Sequence, residues 1–104
     1  MRVAVHVRLR PGTEEAYDRA HREVPAELTA AMARAGARDW TVWRSGLDVF
    51  QLIECDDYPR LLAQLAEDPV NITWQRRMAE LQEVTHDYSA AGADKGLPQV
   101  WRLP

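Results

Sequence analysis

From Arg2 to Arg10 the chain changes character at every residue. Val3, Val5, Val7 and Leu9 point one way, and Arg2, Ala4, His6, Arg8 and Arg10 the other. That is the two-residue period of a strand with one face buried, so the chain must supply partner strands and a cover for the apolar side. Pro11-Gly12 ends the run. Thr13 then stands as an N-cap, with Glu14 and Glu15 in the first helical turn, where negative charge favours the helix dipole. Ala16, Ala20, Val24, Leu28, Met32 and Ala35 recur near helical spacing as far as Gly36, a natural helix stop. Two strands follow, Asp39 to Arg44 and Val49 to Cys55, joined by a turn at Ser45-Gly46. Asp56 or Asp57 caps a short helix carrying Leu61, Leu62 and Leu65. Asp68-Pro69 opens another, with proline at the first helical position and Val70, Trp74, Met78 and Leu81 on one stripe. A polar loop from Thr85 to Gly96 leads to an expected last short strand near Gln99 to Leu103.

The resulting order, β-α-β-β-α-β, predicts an α+β fold of the ferredoxin-like, split βαβ kind. Its sheet is antiparallel, with helices on one face. The whole of 1–104 reads as a single domain, without repeat, low-complexity tract or linker. The second face of the sheet would carry Ala4, Phe50 and Leu52, which is too apolar to be left to water. We therefore expect a homodimer, with two sheets meeting in a dimeric α+β barrel.

Charge and composition exclude several classes of partner. A net charge of −3 and a pI near 5.5 give no basic footprint for nucleic acid or an anionic membrane. No apolar run approaches a membrane span and no signal-peptide core opens the chain, so the expected location is the cytoplasm. The lone Cys55 cannot form an internal disulfide. Beside Asp56 and Asp57 it is poorly placed to be a thiolate, which makes it a structural residue. The three histidines lack a paired ligand spacing on one element, so no metal is expected.

Chemistry concentrates in the first helix. Tyr17 and His21 are four residues apart and share a helical face, which sets a phenol beside an imidazole, the side chain best suited to move a proton near neutral pH. Pro25 removes the N–H that would have bonded the His21 carbonyl, and disfavours helical geometry at Val24. The stripe should therefore split into two helices, the second starting at Pro25 with Glu27 in its first turn. His21 then lies in a C-terminal turn, where the dipole favours the imidazolium; the plain alternative is a solvated cap beside a packing kink. Four Trp and three Tyr against one Phe is an unusual aromatic balance for so short a chain. Trp43 and Trp101 are expected in the core or a dimer interface, and Trp40 in either a pocket or the core. Trp74 can pack and stack at once. His6 reads as an interface or surface residue, His86 as solvated within the polar loop or, as the alternative, contributing to the site from a mobile loop, and the Arg8/Arg10 and Arg76-Arg77 clusters as solvated or ion-paired surface.

The ordered set Tyr17-x-x-x-His21, Val24-x-x-Glu27-Leu28, Gly36, Trp40-x-x-Trp43, Val49-Phe50-x-x-Ile53-Glu54, Asp68, Trp74-x-x-x-Met78 and Val100-Trp101-x-Leu103-Pro104 resembles the L-rhamnose mutarotase family over nearly the whole chain. The resemblance implies a dimeric ferredoxin-like subunit that interconverts the α and β anomers of a deoxy-sugar pyranose, with no cofactor and no metal. It implies His21 as the proton donor and Tyr17 as a substrate contact. A family Tyr falls on Trp40, which keeps a ring but loses the hydroxyl. A family Trp-Trp pair falls on Trp74 and Gln75, and the family's aromatic-Pro-Glu-Leu stretch reads Pro25-Ala26-Glu27-Leu28. These departures bear on which monosaccharide is taken, L-rhamnose or a relative such as L-fucose. The base is left open between Asp18, Glu27 and water. Two other readings share the fold: a cofactor-free small monooxygenase or polyketide cyclase, and a non-enzymatic dimeric binding module.

Overall fold

A computed structural model describes all residues 1–104. Four strands and four α-helices form in the order β1 (Arg2–Leu9), α1 (Glu14–Arg22), α2 (Ala26–Arg34), β2 (Ala37–Ser45), β3 (Asp48–Cys55), α3 (Tyr58–Glu67), α4 (Pro69–Leu81) and β4 (Gln82–Val84). A 3-10 turn, Ala90–Asp94, follows. The sheet order is β2-β3-β1-β4 and every pairing is antiparallel. This is the α+β arrangement the strand and helix order predicts. No helix is long and apolar enough to cross a membrane.

The alternation in β1 does what its period requires. Val5, Val7 and Leu9 are buried, and through the register Val7↔Val49 and Val3↔Ile53 they share the helix-covered face with β3. Leu28 of α2 and Leu61, Leu62 and Leu65 of α3 complete this core, each almost wholly removed from water. Truncating one of these to alanine costs about 2–5 kcal/mol. Cys55 is a free, buried thiol of the same core. Burial pushes its pKa up, as a structural residue requires.

The helix boundaries follow from local chemistry. Pro25, with φ −58° and ψ 138°, sits at the N-cap of α2, so the break falls between Arg22 and Ala26. Asp57 and Asp68 cap α3 and α4, accepting from the Arg60 and Val70 backbone N–H groups at 3.1 and 3.0 Å. Thr13 holds the N-cap position of α1, but its hydroxyl does not cap. It donates to the carbonyls of Arg10 and Leu81, tying the helix start to the end of α4. Gly46, at φ +59°, makes the two-residue connection between β2 and β3, a conformation glycine adopts at little cost.

The C-terminus departs from the sequence reading. The fourth strand is Gln82–Val84, formed directly after α4, not the expected Gln99 to Leu103, which has no regular structure. The Val100-Trp101-x-Leu103 pattern looks strand-like in isolation, but β1 already has its neighbour. Beyond β4, the edge of β1 receives the Leu97 N–H on the Ala4 carbonyl at 2.7 Å. Trp101 is consequently 73% exposed and Trp43, on the uncovered face of the sheet, 55% exposed; neither belongs to the core.

Candidate active site

The gap between the helix layer and the sheet encloses a cavity of about 360 Å³. This is at the small end of the range for small-molecule sites. Tyr17 and His21 enter from α1, Val24 from the proline break, Leu28 and Met32 from α2, and Trp74, Gln75 and Met78 from α4. The sheet supplies Trp40, Val42 and Gln51, and the chain after α4 supplies Gln82, His86 and Tyr88. The helical wall mixes apolar side chains with Tyr17, His21, Thr29 and Gln75, while the opposite wall is mainly polar, with Gln51, Gln82, His86 and Tyr88 beside Trp40 and Val42.

On the helical wall, the Tyr17 and His21 rings lie 4.2 Å apart, and the edge of His21 meets Trp74 at 5.3 Å between centroids. His21 Nδ1–H donates to the Tyr17 carbonyl oxygen at 2.8 Å. A carbonyl only accepts, so the proton is fixed on Nδ1, and in the neutral ring the Nε2 lone pair is free. Burial lowers the His21 pKa, opposed by the bond to the Tyr17 carbonyl and by Asp18, and reinforced by Arg77. The expected dipole-favoured imidazolium therefore gives way to a neutral ring, because desolvation outweighs one helix terminus. Tyr17 is pushed up to about 12, chiefly by burial, and keeps its hydroxyl proton.

The opposite wall holds a second imidazole. His86 is 8% exposed, not solvated as its polar neighbours in sequence suggest. Its Nε2 lies 2.8 Å from the Tyr58 hydroxyl, and its ring sits 4.4 Å from Tyr88 and 5.8 Å from Trp40. Burial lowers its pKa to about 4, so it is neutral at physiological pH. Trp40 Nε1–H donates to Gln51 at 2.8 Å, which fixes the indole as part of the wall. On α4, Gln75 Nε2–H donates to Asn71 at 3.2 Å and to the Tyr88 hydroxyl at 3.4 Å, so its amide is partly committed.

The profile of L-rhamnose mutarotase matches residues 2–103. The L-rhamnose mutarotase of Burkholderia ambifaria (strain MC40-6) is 30% identical over 104 residues, covering 98% of this chain and 97% of that protein. The chain belongs to the L-rhamnose mutarotase family. Two solved structures share the fold. The L-rhamnose mutarotase of Formosa agariphila superposes with a TM-score of 0.77 at 19% identity, covering 100% of this chain and 99% of that one. Tetracenomycin F2 cyclase of Streptomyces glaucescens, a type-II polyketide cyclase, gives 0.68 at 20%, with the same coverage. At such identities the two likenesses speak for architecture alone, and the family match is what separates mutarotase from cyclase.

Tyr17, His21, Trp40, Trp74 and Gln75, the residues the resemblance points to, all line this one cavity. The two carboxylates considered as bases do not. Asp18 is held by Arg44 in a two-pronged ion pair, at 2.9 and 2.7 Å, and Glu27 is exposed on α2. Arg77 is not simply solvated, since its guanidinium lies 5.7 Å from the Trp74 ring centre. Sequence reasoning missed Gln51, Gln82 and Tyr88, and it favoured a solvated His86 over the contribution from the loop that the structure places in the cavity lining. Gln51 was legible in principle: it alternates with Val49 and Ile53 on the buried face of β3, where a polar residue asks for a reason.

Proposed function

We propose that this chain interconverts the α and β anomers of L-rhamnose or a close 6-deoxy relative such as L-fucose, with His21 moving the anomeric proton. The observation that carries this is the neutral His21 ring, its Nδ1 proton spent on the Tyr17 carbonyl and its Nε2 lone pair free, in a cavity of monosaccharide size. Nε2 takes the proton of the anomeric hydroxyl as the bond from C1 to the ring oxygen breaks. The ring oxygen takes its proton in the same step from the Tyr17 hydroxyl, which burial keeps protonated in the resting site and which recovers that proton when the ring closes. Rotation about C1–C2 turns the aldehyde, the ring closes on its other face, and the imidazolium returns its proton to the former carbonyl oxygen. His21 is thus base on opening and acid on closing, as reversibility demands of a reaction whose two ends are chemically alike. Positioned acid–base groups contribute about 10²–10⁴-fold, enough to accelerate an exchange that water already performs slowly.

Trp40 and Trp74 offer rings to the methyl and C–H faces of a deoxy-sugar, and Gln75 an amide to a hydroxyl. The test is saturation-transfer NMR on a mixture of L-rhamnose and L-fucose. Added protein should speed exchange between the anomers of one of them; exchange no faster than in buffer for both would end this reading.

We further propose that the folded unit is 1–104 and that two copies pair through their uncovered sheet faces. Trp43 and Phe50 face each other in register there, 55% and 43% exposed, with His6 5.1 Å from Phe50. Adjacent apolar rings on a sheet are costly to leave in water. Sedimentation at micromolar concentration should give twice the chain mass of 11.9 kDa, and a clean monomer would contradict the pairing.

A further inference from the structure

Two buried side-chain atoms in this protein have no hydrogen-bond partner, His86 Nδ1 and Gln82 Oε1, and both residues line the cavity that holds His21. Buried polar atoms are almost always satisfied, because leaving one unpaired forfeits its hydration without return. The two residues that carry these orphans share one cavity, and a ligand there supplies the missing partners once either side chain turns slightly toward it.

Their polarity can be read from their neighbours. The Tyr58 hydroxyl has His86 Nε2 as its one side-chain partner. If His86 donated through Nε2, both the Tyr58 proton and Nδ1 would be left unpaired. With Tyr58 O–H donating to Nε2 only Nδ1 is left, and in the neutral ring that atom must then carry the proton. Tyr58 is pushed up to about 12 and His86 down to about 4, both chiefly by burial, so neither gives up this state at neutral pH. His86 thus offers a donor and Gln82 an acceptor. A sugar hydroxyl both donates and accepts, whereas a methyl does neither. Val24, Leu28, Met32 and Met78 line the helical side and can receive only the latter.

We propose that His86 Nδ1–H and Gln82 Oε1, with Tyr58 holding the His86 tautomer, form a hydroxyl-recognition subsite facing the helical wall. This subsite sets the orientation of the pyranose and which 6-deoxy sugar is accepted. It rests on the mutarotase reading for the class of ligand only, not for the reaction. The hydroxyl held here lies toward His86 and Gln82 and the methyl toward Val24, Leu28, Met32 and Met78, which leaves the anomeric centre to His21. A site that hydrogen-bonds a substrate hydroxyl rejects the analogue lacking it far more sharply than an apolar pocket rejects an added group.

The experiment uses a ligand that binds without reacting. 1,5-Anhydro-L-rhamnitol has no anomeric hydroxyl and cannot open, so calorimetric titration reports the subsite apart from catalysis. His86→Phe, in a background of Tyr58→Phe so that no hydroxyl is orphaned, and Gln82→Leu should each weaken binding about tenfold or more. Neither should lower the thermal midpoint, a combination that a purely structural role would not give. Among the monodeoxy derivatives of the anhydro sugar, one should bind wild type and the His86 variant equally, which identifies the hydroxyl held. Folded variants that bind the anhydro sugar and all its derivatives as wild type does would overturn the proposal, as would wild type that binds none of them. If wild type binds but does not exchange anomers, the mutarotase reading fails and the subsite stands. If it exchanges but the variants bind unchanged, the reverse holds.

Discussion

The two walls of the cavity each carry a neutral imidazole, and they are built by opposite means. On the helical wall, His21 is held by its own helix: its ring proton goes to the carbonyl four residues back, and Tyr17 and Trp74 bracket it. On the other wall, His86 belongs to no regular element and is held by Tyr58, which lies 28 residues away in sequence. Local structure frees Nε2 of the first as a proton acceptor. A long-range bond leaves Nδ1 of the second as a proton donor. The same side chain is assigned opposite duties by which of its nitrogens is occupied.

The comparison is sharpest where proton transfer can be separated from folding. In the exchange measurement, His21→Asn should lower the catalysed rate by about 10²-fold or more, with the fold intact. A rate like that of wild type would remove His21 from the reaction and erase the distinction between the walls.

The smaller effect falls on the other wall and concerns acid. An unfolded histidine titrates near 6.5, whereas His86 does so at about 4. Between these values the unfolded chain binds a proton that the folded one does not, so stability is full above about pH 6.5 and declines as pH falls toward 4. The difference corresponds to roughly 3 kcal/mol, about 1.4 kcal/mol per pKa unit. Urea denaturation at pH 7 and pH 4.5 should show a loss of that order, largely removed in the Tyr58→Phe/His86→Phe protein. His21 contributes a loss of the same sign. An equal loss with and without His86 would mean that this imidazole is not buried as described.

What was legible in the sequence follows the same division. Periodicity exposes β1, α1 and α4, and with them Tyr17, His21 and Trp74, because a residue on a regular element has neighbours fixed at i±2 or i±4. Trp40 and Gln75 required the family pattern as well. His86 and Tyr88 could not be placed, since only tertiary contact with α3 and β2 draws a polar loop into the interior. The misplaced fourth strand has a related cause. Gln82–Val84 is only three residues long and offers no alternation to detect, while Gln99 to Leu103 has a strand-like pattern with no free place beside β1.

β2 forms one outer edge of the sheet, bonded to β3 on one side only, and at nine residues it is among the longest elements in the chain. A bare strand of that length, carrying Trp40, Val42 and Trp43, is a template on which other polypeptides can grow into fibrils. Arg38, Asp39 and Arg44 interrupt it at both ends, and Arg44 is tied back to α1 by its paired bonds to Asp18. The ion pair that takes Asp18 out of consideration as a catalytic base thereby also fixes charge at the end of an edge strand, where charge hinders pairing with another chain.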